Sequence, residues 1–254
     1  MNENGCKSFS YNENTRNCDT YSKALVETTA APSSSTKYFS KPPPSGIYDY
    51  TLTDGSTIQV YLDMDTEDGP WIENCLFNST KVIQRRTSAD VDFYRNWADY
   101  KNGFGGLLGN FWLGNDKIHL LTSTSMILRV VLEGLDGKTG YAQYSSFQIA
   151  NEAQNYKLSV SGFSGNGVSY NALGPHNGYA FSTYDRDNDD KNTENCASTY
   201  EGAWWYYNCH NCNLNGLYMV DVGETEVTSM LWRNFPRSDI GAPLKKCTMM
   251  IRKP

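Results

Sequence analysis

The stretch NCASTYEGAWWYYNCHNCNLNGLY, residues 195–218, decides the fold of this chain. It contains three of the seven cysteines and four consecutive aromatic residues, at positions 204–207. Alternate side chains of an extended run face opposite ways, so we expect at least half of these aromatic residues in the core. The surrounding Asn and Gly residues predict long loops, which in a compact domain usually mark a functional region.

An acidic loop, YDRDNDDKNTENC, leads into this stretch and carries Asp185, Asp187, Asp189 and Asp190. Closely spaced carboxylates repel one another unless a hard cation lies between them, and Ca²⁺ prefers oxygen ligands. The spacing does not fit an EF-hand, because Asp190 stands where that loop needs glycine. The residues alone leave two interpretations open, a calcium loop and a solvated acidic turn.

Further motifs accompany the stretch at residues 195–218. They are DFYRNWADYKNGFGG at residues 92–106, NFWLGNDKIHLLT at residues 110–122 and the terminal MMIRKP. Together these motifs resemble the fibrinogen-related domain shared by fibrinogen chains, ficolins, tachylectins, angiopoietins and tenascins. The resemblance implies an α+β fold: a fibrinogen C-terminal-like domain with a central, mostly antiparallel sheet, short helices and a long loop-rich subdomain for calcium and ligand.

Composition divides the chain into three segments. Residues 28–44, TTAAPSSSTKYFSKPPP, have the Ser, Thr and Pro content of an extended linker. Residues 45–254 are then the predicted fibrinogen-like domain. Residues 1–27 include CKSFSYNENTRNC, a hairpin-like piece too short to fold alone, which resembles the tail of a PAN/apple module. We predict strands at residues 56–63, 81–86, 126–132 and 249–252, and short helices at residues 94–102 and 118–123.

Bulk properties exclude several classes of function. The net charge of −6 and the pI near 5.1 argue against nucleic-acid binding, which needs clustered Lys and Arg. The sequence has no apolar run long enough to span a membrane. Scattered cysteines favour disulfides and a secreted, extracellular protein, and the sequon at Asn78 predicts a glycosylation site. Because the N-terminus lacks signal-peptide features, we expect the secreted chain to begin upstream of Met1.

The resemblance also implies a calcium site in the acidic loop. Its side-chain ligands would be Asp187 and Asp189, and backbone carbonyls a few residues later, at Asn192 and Glu194, would add to them. Two carboxylates with carbonyls and waters make the oxygen shell that Ca²⁺ prefers.

One disulfide, Cys196–Cys209, is implied by the resemblance, and closing so short a loop contributes roughly 3 kcal/mol. The usual N-terminal bridge of the family is missing, because Leu62 occupies one of its positions. Cys75 and Cys247 instead lie beside two segments that are neighbouring strands in the family, so we predict a replacement bridge between them. The remaining cysteines, which leave room for a homo-oligomer, are Cys6, Cys18 and Cys212.

The ligand pocket of the family falls on the end of the aromatic run. In acetyl-binding members the peptide bond before the second cysteine, here Asn208–Cys209, is cis and turns a backbone N–H toward the ligand carbonyl. His210 lies beside it, and Tyr200 stands at an aromatic position of the pocket.

Two positions depart from that pocket. Glu226 and Val227 replace the Tyr-Ala pair that forms the wall around the acetyl methyl group, and a carboxylate there disfavours a methyl group. The main functional prediction is calcium-dependent, lectin-like binding of acetylated or other glycans on cell or microbial surfaces. The alternative is an extracellular domain that binds a protein partner or matrix without sugar.

We do not expect an enzyme. Cys209 is expected to be oxidised, so it cannot form a nucleophilic pair with His210. His119 falls in a predicted helix, and His176, in GPHNG, is predicted in an exposed turn.

Overall fold

The computed structural model describes residues 9–12, 17–20, 45–52, 54–63, 80–219, 227–237 and 242–254. Its strands are β1 (Phe9–Asn12), β2 (Asn17–Thr20), β3 (Gly46–Thr51), β4 (Thr57–Asp63), β5 (Thr80–Arg86), β6 (Phe104–Gly105), β7 (Phe111–Trp112), β8 (Met126–Gly134), β9 (Thr139–Ile149), β10 (Leu158–Asn166), β11 (Cys212–Asn213), β12 (Leu231–Trp232) and β13 (Leu244–Arg252). Its helices are α1 (Trp97–Asn102), α2 (Asn115–Leu121) and α3 (Cys196–Thr199), with 3₁₀ turns at Glu152–Gln154 and Gly174–His176.

A central antiparallel sheet has the strand order β10-β9-β8-β13-β5-β4-β3, and the β6–β7 hairpin joins it at β5. In β8 every second residue from Met126 to Gly134 is buried, as expected when one face of a pleated strand packs on the core. The mostly antiparallel sheet predicted from the resemblance is therefore confirmed. The four strands predicted from local pattern correspond to β4, β5, β8 and β13.

Aromatic side chains fill the core beside the sheet. The Phe181 ring lies between Trp112 and Trp205, with centroid distances of 6.0 and 5.3 Å, and such pairs contribute about 1 kcal/mol beyond their burial. Trp204, Trp205 and Tyr206 are fully buried, whereas Tyr207 is half-buried. The aromatic run at residues 204–207 is therefore mainly core, as predicted.

Both predicted short helices are present with shifted ends. The side chain of Asn96 accepts a hydrogen bond from the Asp99 N–H, so α1 begins at Trp97 rather than at residue 94. Gly103 ends α1 with φ of 91°, a conformation that favours glycine. The second helix, α2, begins before the predicted residue 118 and ends before residue 123.

The region between β10 and β11 is built from loops. Within it the structure has the 3₁₀ turn Gly174–His176 and the four-residue helix α3, and β11 pairs with β12 at its end. This arrangement agrees with the predicted loop-rich subdomain.

The segment before the linker contains the predicted hairpin. Strands β1 and β2 pair in antiparallel register, with Phe9 opposite Thr20. The predicted linker at residues 28–44 lies outside the described residues. Among the described helices, none is long and apolar enough to cross a membrane.

Candidate functional site

The acidic loop contains one carboxylate with a structural role. Asp185 Oδ1 accepts hydrogen bonds from the Trp97 N–H at 2.9 Å and from Thr183 Oγ1 at 2.7 Å. The loop is thereby tied to the first residue of α1. Asp185 thus caps α1.

Asp187 and Asp189 lie next to each other in the same loop. The Asp189 N–H donates to Asp187 Oδ1 at 3.2 Å. Burial raises the pKa of Asp189 and the Asp187 charge adds to the rise, although hydrogen bonds from the Cys196 and Lys191 amides oppose it. Neither carboxylate forms an ion pair with a Lys or Arg of the described residues. Two adjacent carboxylates without a cation of the chain fit a hard metal ion.

The remaining predicted calcium ligands can contribute backbone carbonyls. The Glu194 carboxylate pairs with Lys191 and accepts from Thr199 Oγ1 at 3.2 Å, whereas Asn192 is exposed. Within the described part of the chain, no group of three or more His, Cys, Asp or Glu side chains is arranged around one point. A calcium shell here would therefore need carbonyl oxygens and water beside the two carboxylates.

The acidic loop is joined covalently to the pocket segment. Cys196 and Cys209 form the disulfide that the resemblance implies, with 5.6 Å between their Cα atoms. Asp189 Oδ2 accepts from the Cys196 N–H at 2.8 Å, and the Asp190 N–H donates to the Tyr207 carbonyl at 3.1 Å. The acidic loop and the pocket segment thus form one connected unit.

The peptide bond between Asn208 and Cys209 is cis, as the resemblance implies. Among the described residues, nothing accepts a hydrogen bond from the Cys209 N–H. Asn208 is exposed beside it. A backbone donor and an exposed amide are therefore adjacent in this segment.

His210 lies beside that donor, against Tyr200. The two rings meet edge to face with 4.5 Å between centroids, and the Tyr206 ring lies 6.1 Å away. Both His210 ring nitrogens are buried and have no hydrogen-bond partner among the described residues. Burial lowers the pKa of His210 to about 4, and the nearby Val227 backbone opposes the shift. The imidazole is therefore neutral near pH 7, with its hydrogen-bonding capacity unused.

His176 is a functional residue that the sequence interpretation placed wrongly. Instead of lying in an exposed turn, its side chain is fully buried. Nδ1 lies 2.8 Å from the Trp205 carbonyl and Nε2 accepts from the Asn211 N–H at 3.1 Å, so Nδ1 carries the proton. Burial lowers the pKa of His176 to about 3. The histidine therefore fixes both ends of the segment that carries the cis peptide.

Cys75, the predicted disulfide partner of Cys247, lies outside the described residues, so the Cys75–Cys247 bridge stays a prediction. The two strands on which that prediction relied, β5 and β13, are neighbours in the sheet. However, Cys247 is a free thiol, fully buried, with Sγ 3.1 Å from Gln84 Oε1 and 3.3 Å from Met230 Sδ. Burial raises its pKa to about 12. Cys212 is also a free buried thiol, in line with its predicted lack of a partner.

Several predicted site residues lie outside the described residues: Cys75, Asn78 and Glu226. Val227 is described and half-buried. The side chains of Cys6 and Cys18 are likewise outside the described set. Their predicted roles stay predictions.

Comparison with known families gives one match, over residues 36–254, to the C-terminal globular domain of fibrinogen beta and gamma chains. Human ficolin-3 is 38% identical over 209 residues, which is 82% of this chain and 66% of ficolin-3. The chain thus spans slightly less than two thirds of that relative. The family match does not reach the β1–β2 hairpin, and the likeness of residues 1–27 to a PAN/apple module stays a prediction.

Two solved structures with this fold are similar to the chain over most of its length. The fibrinogen-like globe domain of human ANGPTL2 is 35% identical, with a TM-score of 0.73 over 82% of this chain and 92% of that one. Lamprey fibrin D-dimer, complexed with the peptide Gly-His-Arg-Pro-amide, is 29% identical, with a TM-score of 0.71 over 83% of this chain and 70% of that one.

Proposed function

Since this chain belongs to the family of fibrinogen C-terminal globular domains, we propose that it is an extracellular, non-enzymatic recognition protein. Its pocket binds acetylated or other glycans in a lectin-like manner. The observation that carries the proposal is His210, whose two buried nitrogens have no partner among the described residues. A buried polar atom without a hydrogen bond costs about 1–3 kcal/mol, which a ligand group can recover.

The groups around His210 suit a polar ligand with a small apolar part. The Cys209 N–H can donate to a carbonyl or hydroxyl oxygen, and the neutral imidazole of His210 can both donate and accept. The Tyr200 ring supplies an aromatic wall beside them. Such a combination of an aromatic wall with few convergent polar groups is typical of small-ligand sites.

Calcium is the proposed cofactor, held by the Asp187 and Asp189 carboxylates and the carbonyls of Asn192 and Glu194. When bound, the ion would cancel the repulsion of the two carboxylates and stiffen the loop. Because Asp189 also accepts from the Cys196 amide, that stiffening would extend along the disulfide to Cys209. Calcium would thus act on recognition through the shape of the pocket.

Three further properties belong to the same proposal. The protein is secreted, which the disulfide and the likeness to ficolin-3 support. It is glycosylated at Asn78. It forms homo-oligomers, because one sugar site binds weakly and needs multivalency. Since the free thiols of Cys212 and Cys247 are buried, Cys6 and Cys18 are the candidate cysteines for linking chains.

The second candidate function is binding of an extracellular protein partner in the same pocket. Val227, at a wall position of the family pocket, is bulkier than the alanine of the acetyl-binding pattern, and lamprey fibrin, a relative, is complexed with a peptide. A peptide with a polar end would satisfy the same His210 and Cys209 groups.

A binding comparison separates the two functions. In the presence of calcium we expect N-acetylglucosamine to bind more tightly than glucose. This binding should be lost in the His210→Phe variant and when EGTA removes calcium. The control variant is Tyr94→Phe, at an exposed tyrosine whose ring contacts Tyr184 rather than Tyr200 or His210. Failure of the wild-type protein to bind N-acetylated sugars on a calcium-loaded array would contradict the glycan proposal and favour a protein partner.

A further inference from the structure

A second group of aromatic rings lies beside the cis peptide, and it differs from the rings that contact His210. Tyr207 packs its ring against His176 and Tyr179, with centroid distances of 5.2 and 5.7 Å. The guanidinium of Arg233 lies 5.7 Å from the centroid of the Tyr170 ring. The three tyrosines and Arg233 are half-buried, and we call them the tyrosine–arginine cluster.

The four side chains belong to one electrostatic neighbourhood. Burial raises the pKa of Tyr207, the Tyr170 and Tyr179 phenols contribute to the rise, and the Arg233 charge opposes it. Hydrogen bonds connect the two parts of the cluster: Arg233 donates to the Asn211 side chain, and the Asn211 N–H donates to His176, against which Tyr207 packs. The Tyr207 phenol therefore stays protonated at neutral pH and can act as a donor.

Arg233 is held in place by β11 and β12. Its N–H donates to the Asn211 carbonyl and its Nη1 to Asn211 Oδ1, both at 2.9 Å. The preceding Trp232 pairs with Cys212 and donates its indole N–H to the Tyr170 carbonyl at 3.0 Å. The charge and the Tyr170 ring are thus positioned before any ligand arrives, which lowers the entropy cost of binding.

Much of the hydrogen-bonding capacity of the cluster is unused. In the part of the chain that the structure describes, none of the three phenol hydroxyls has a hydrogen-bond partner, and no carboxylate lies within 4.0 Å of the Arg233 guanidinium. Half-buried tyrosine hydroxyls usually find partners, and arginine presents five donors. The phenol hydroxyls and the fixed Arg233 guanidinium of the cluster are therefore available to hydrogen-bond a ligand.

We propose that the tyrosine–arginine cluster is a second binding site, for a saccharide residue that carries a carboxylate or sulfate group. Arg233 would pair with the anionic group, the phenols would donate to ring hydroxyls, and the aromatic faces would cover the apolar side of the sugar. The protein's net charge of −6 disfavours long polyanions, which need many cations, so a single acidic residue is the favoured ligand. This site does not depend on the His210 pocket.

The test compares galactose-6-sulfate, glucuronic acid and uncharged galactose by saturation-transfer NMR at low salt. Arg233→Gln should weaken binding of the acidic sugars about tenfold, the loss expected for one charge-assisted contact, and Tyr207→Phe should weaken it less. The matched control is Arg129→Gln, because Arg129 also lies over a tyrosine ring and bonds to an amide oxygen. His210→Phe should leave binding of the acidic sugars unchanged.

The sugars also identify the source of the anion. The site is supported if an acidic sugar binds more tightly than galactose and this preference is lost only in the Arg233 and Tyr207 variants. Tighter binding of galactose-6-sulfate identifies a sulfate as the anion, and tighter binding of glucuronic acid identifies a carboxylate. Equal binding of galactose and the acidic sugars, or equal losses in Arg233→Gln and Arg129→Gln, overturns it. N-acetylglucosamine binding that survives in Arg233→Gln keeps this result separate from the first pocket.

Discussion

His210 is neutral, buried and without a hydrogen-bond partner among the described residues, which makes it an unfavourable group in the folded protein. Leaving such a group buried costs about 1–3 kcal/mol, whereas an apolar ring of similar shape carries no such cost. We therefore expect His210→Phe to raise the free energy of unfolding by about 1 kcal/mol while removing glycan binding. Urea denaturation measures the first effect. A clear loss of stability would mean that His210 supports the fold through hydrogen bonds of its ring nitrogens.

The same residue predicts how stability changes with pH. In the unfolded chain a histidine is half protonated at its pKa, near pH 6.5. In the folded protein the pKa of His210 is about 4 and that of His176 is about 3. Between these values the unfolded state binds more protons, so stability is present above pH 6.5 and falls as the pH decreases toward 4.

The slope near pH 5 is therefore the quantity to measure. Urea denaturation should show that His210→Phe reduces the slope by about 1.4 kcal/mol per pH unit, because one proton fewer is taken up on unfolding. The slope that remains includes His176. An unchanged slope would contradict the low pKa of His210.

His176 also marks the limit of local sequence patterns. The pattern GPHNG predicts an exposed turn, and the structure has a 3₁₀ turn there. Its burial comes from Trp205 and Asn211, which are distant in sequence, and a local pattern contains no information about them. His210 was identified because a family resemblance carries such long-range information.

At the scale of elements, the acidic loop and α1 are joined through one carboxylate. Asp185 accepts the Trp97 N–H, one of the amides that a helix start leaves without an internal partner. Asp185→Ala should therefore lower the free energy of unfolding by about 1 kcal/mol, the usual cost of a lost helix cap. Thermal and urea denaturation would measure it.

Asp190→Ala is the matched control for this prediction. Asp190 is an exposed carboxylate of the same loop, and its side chain forms no hydrogen bond or ion pair in the described part of the chain. Both variants remove one negative charge from the loop. Equal effects would assign the loss to charge rather than to the cap.

Strands were easier to predict than the bonds between loops. The residues Ile127, Val130 and Val131 have high β propensity, so β8 was located without the family resemblance. β5 and β13 are neighbours, as the predicted Cys75–Cys247 bridge requires, but strand adjacency alone does not set the direction of a side chain. Cys247 instead faces Gln84 and Met230.

At the scale of the whole molecule, the acidic loop, the disulfide and the pocket segment form one sequence of contacts. It runs from Asp187 to Asp189, then to the Cys196 amide, and along the disulfide to Cys209. The family resemblance identified each of these residues in advance. It did not reveal that Asp189 bonds both to the loop and to the disulfide, because such bonds depend on coordinates.

From this sequence of contacts we expect Asp187→Asn to have opposite effects on the stability of the metal-free and the calcium-loaded protein. Without calcium, Asp187→Asn removes the repulsion between two adjacent carboxylates, so its melting temperature should equal or exceed that of the wild type. With calcium at 100 times its dissociation constant, the wild type should gain about 2.7 kcal/mol by mass action, and the variant should gain little. Differential scanning calorimetry in EGTA and in calcium measures both, with Asp190→Asn as control. If calcium stabilises Asp187→Asn as much as the wild type, Asp187 is not a calcium ligand. If Asp190→Asn loses as much of the calcium-dependent stabilisation as Asp187→Asn, the effect comes from the charge of the loop alone.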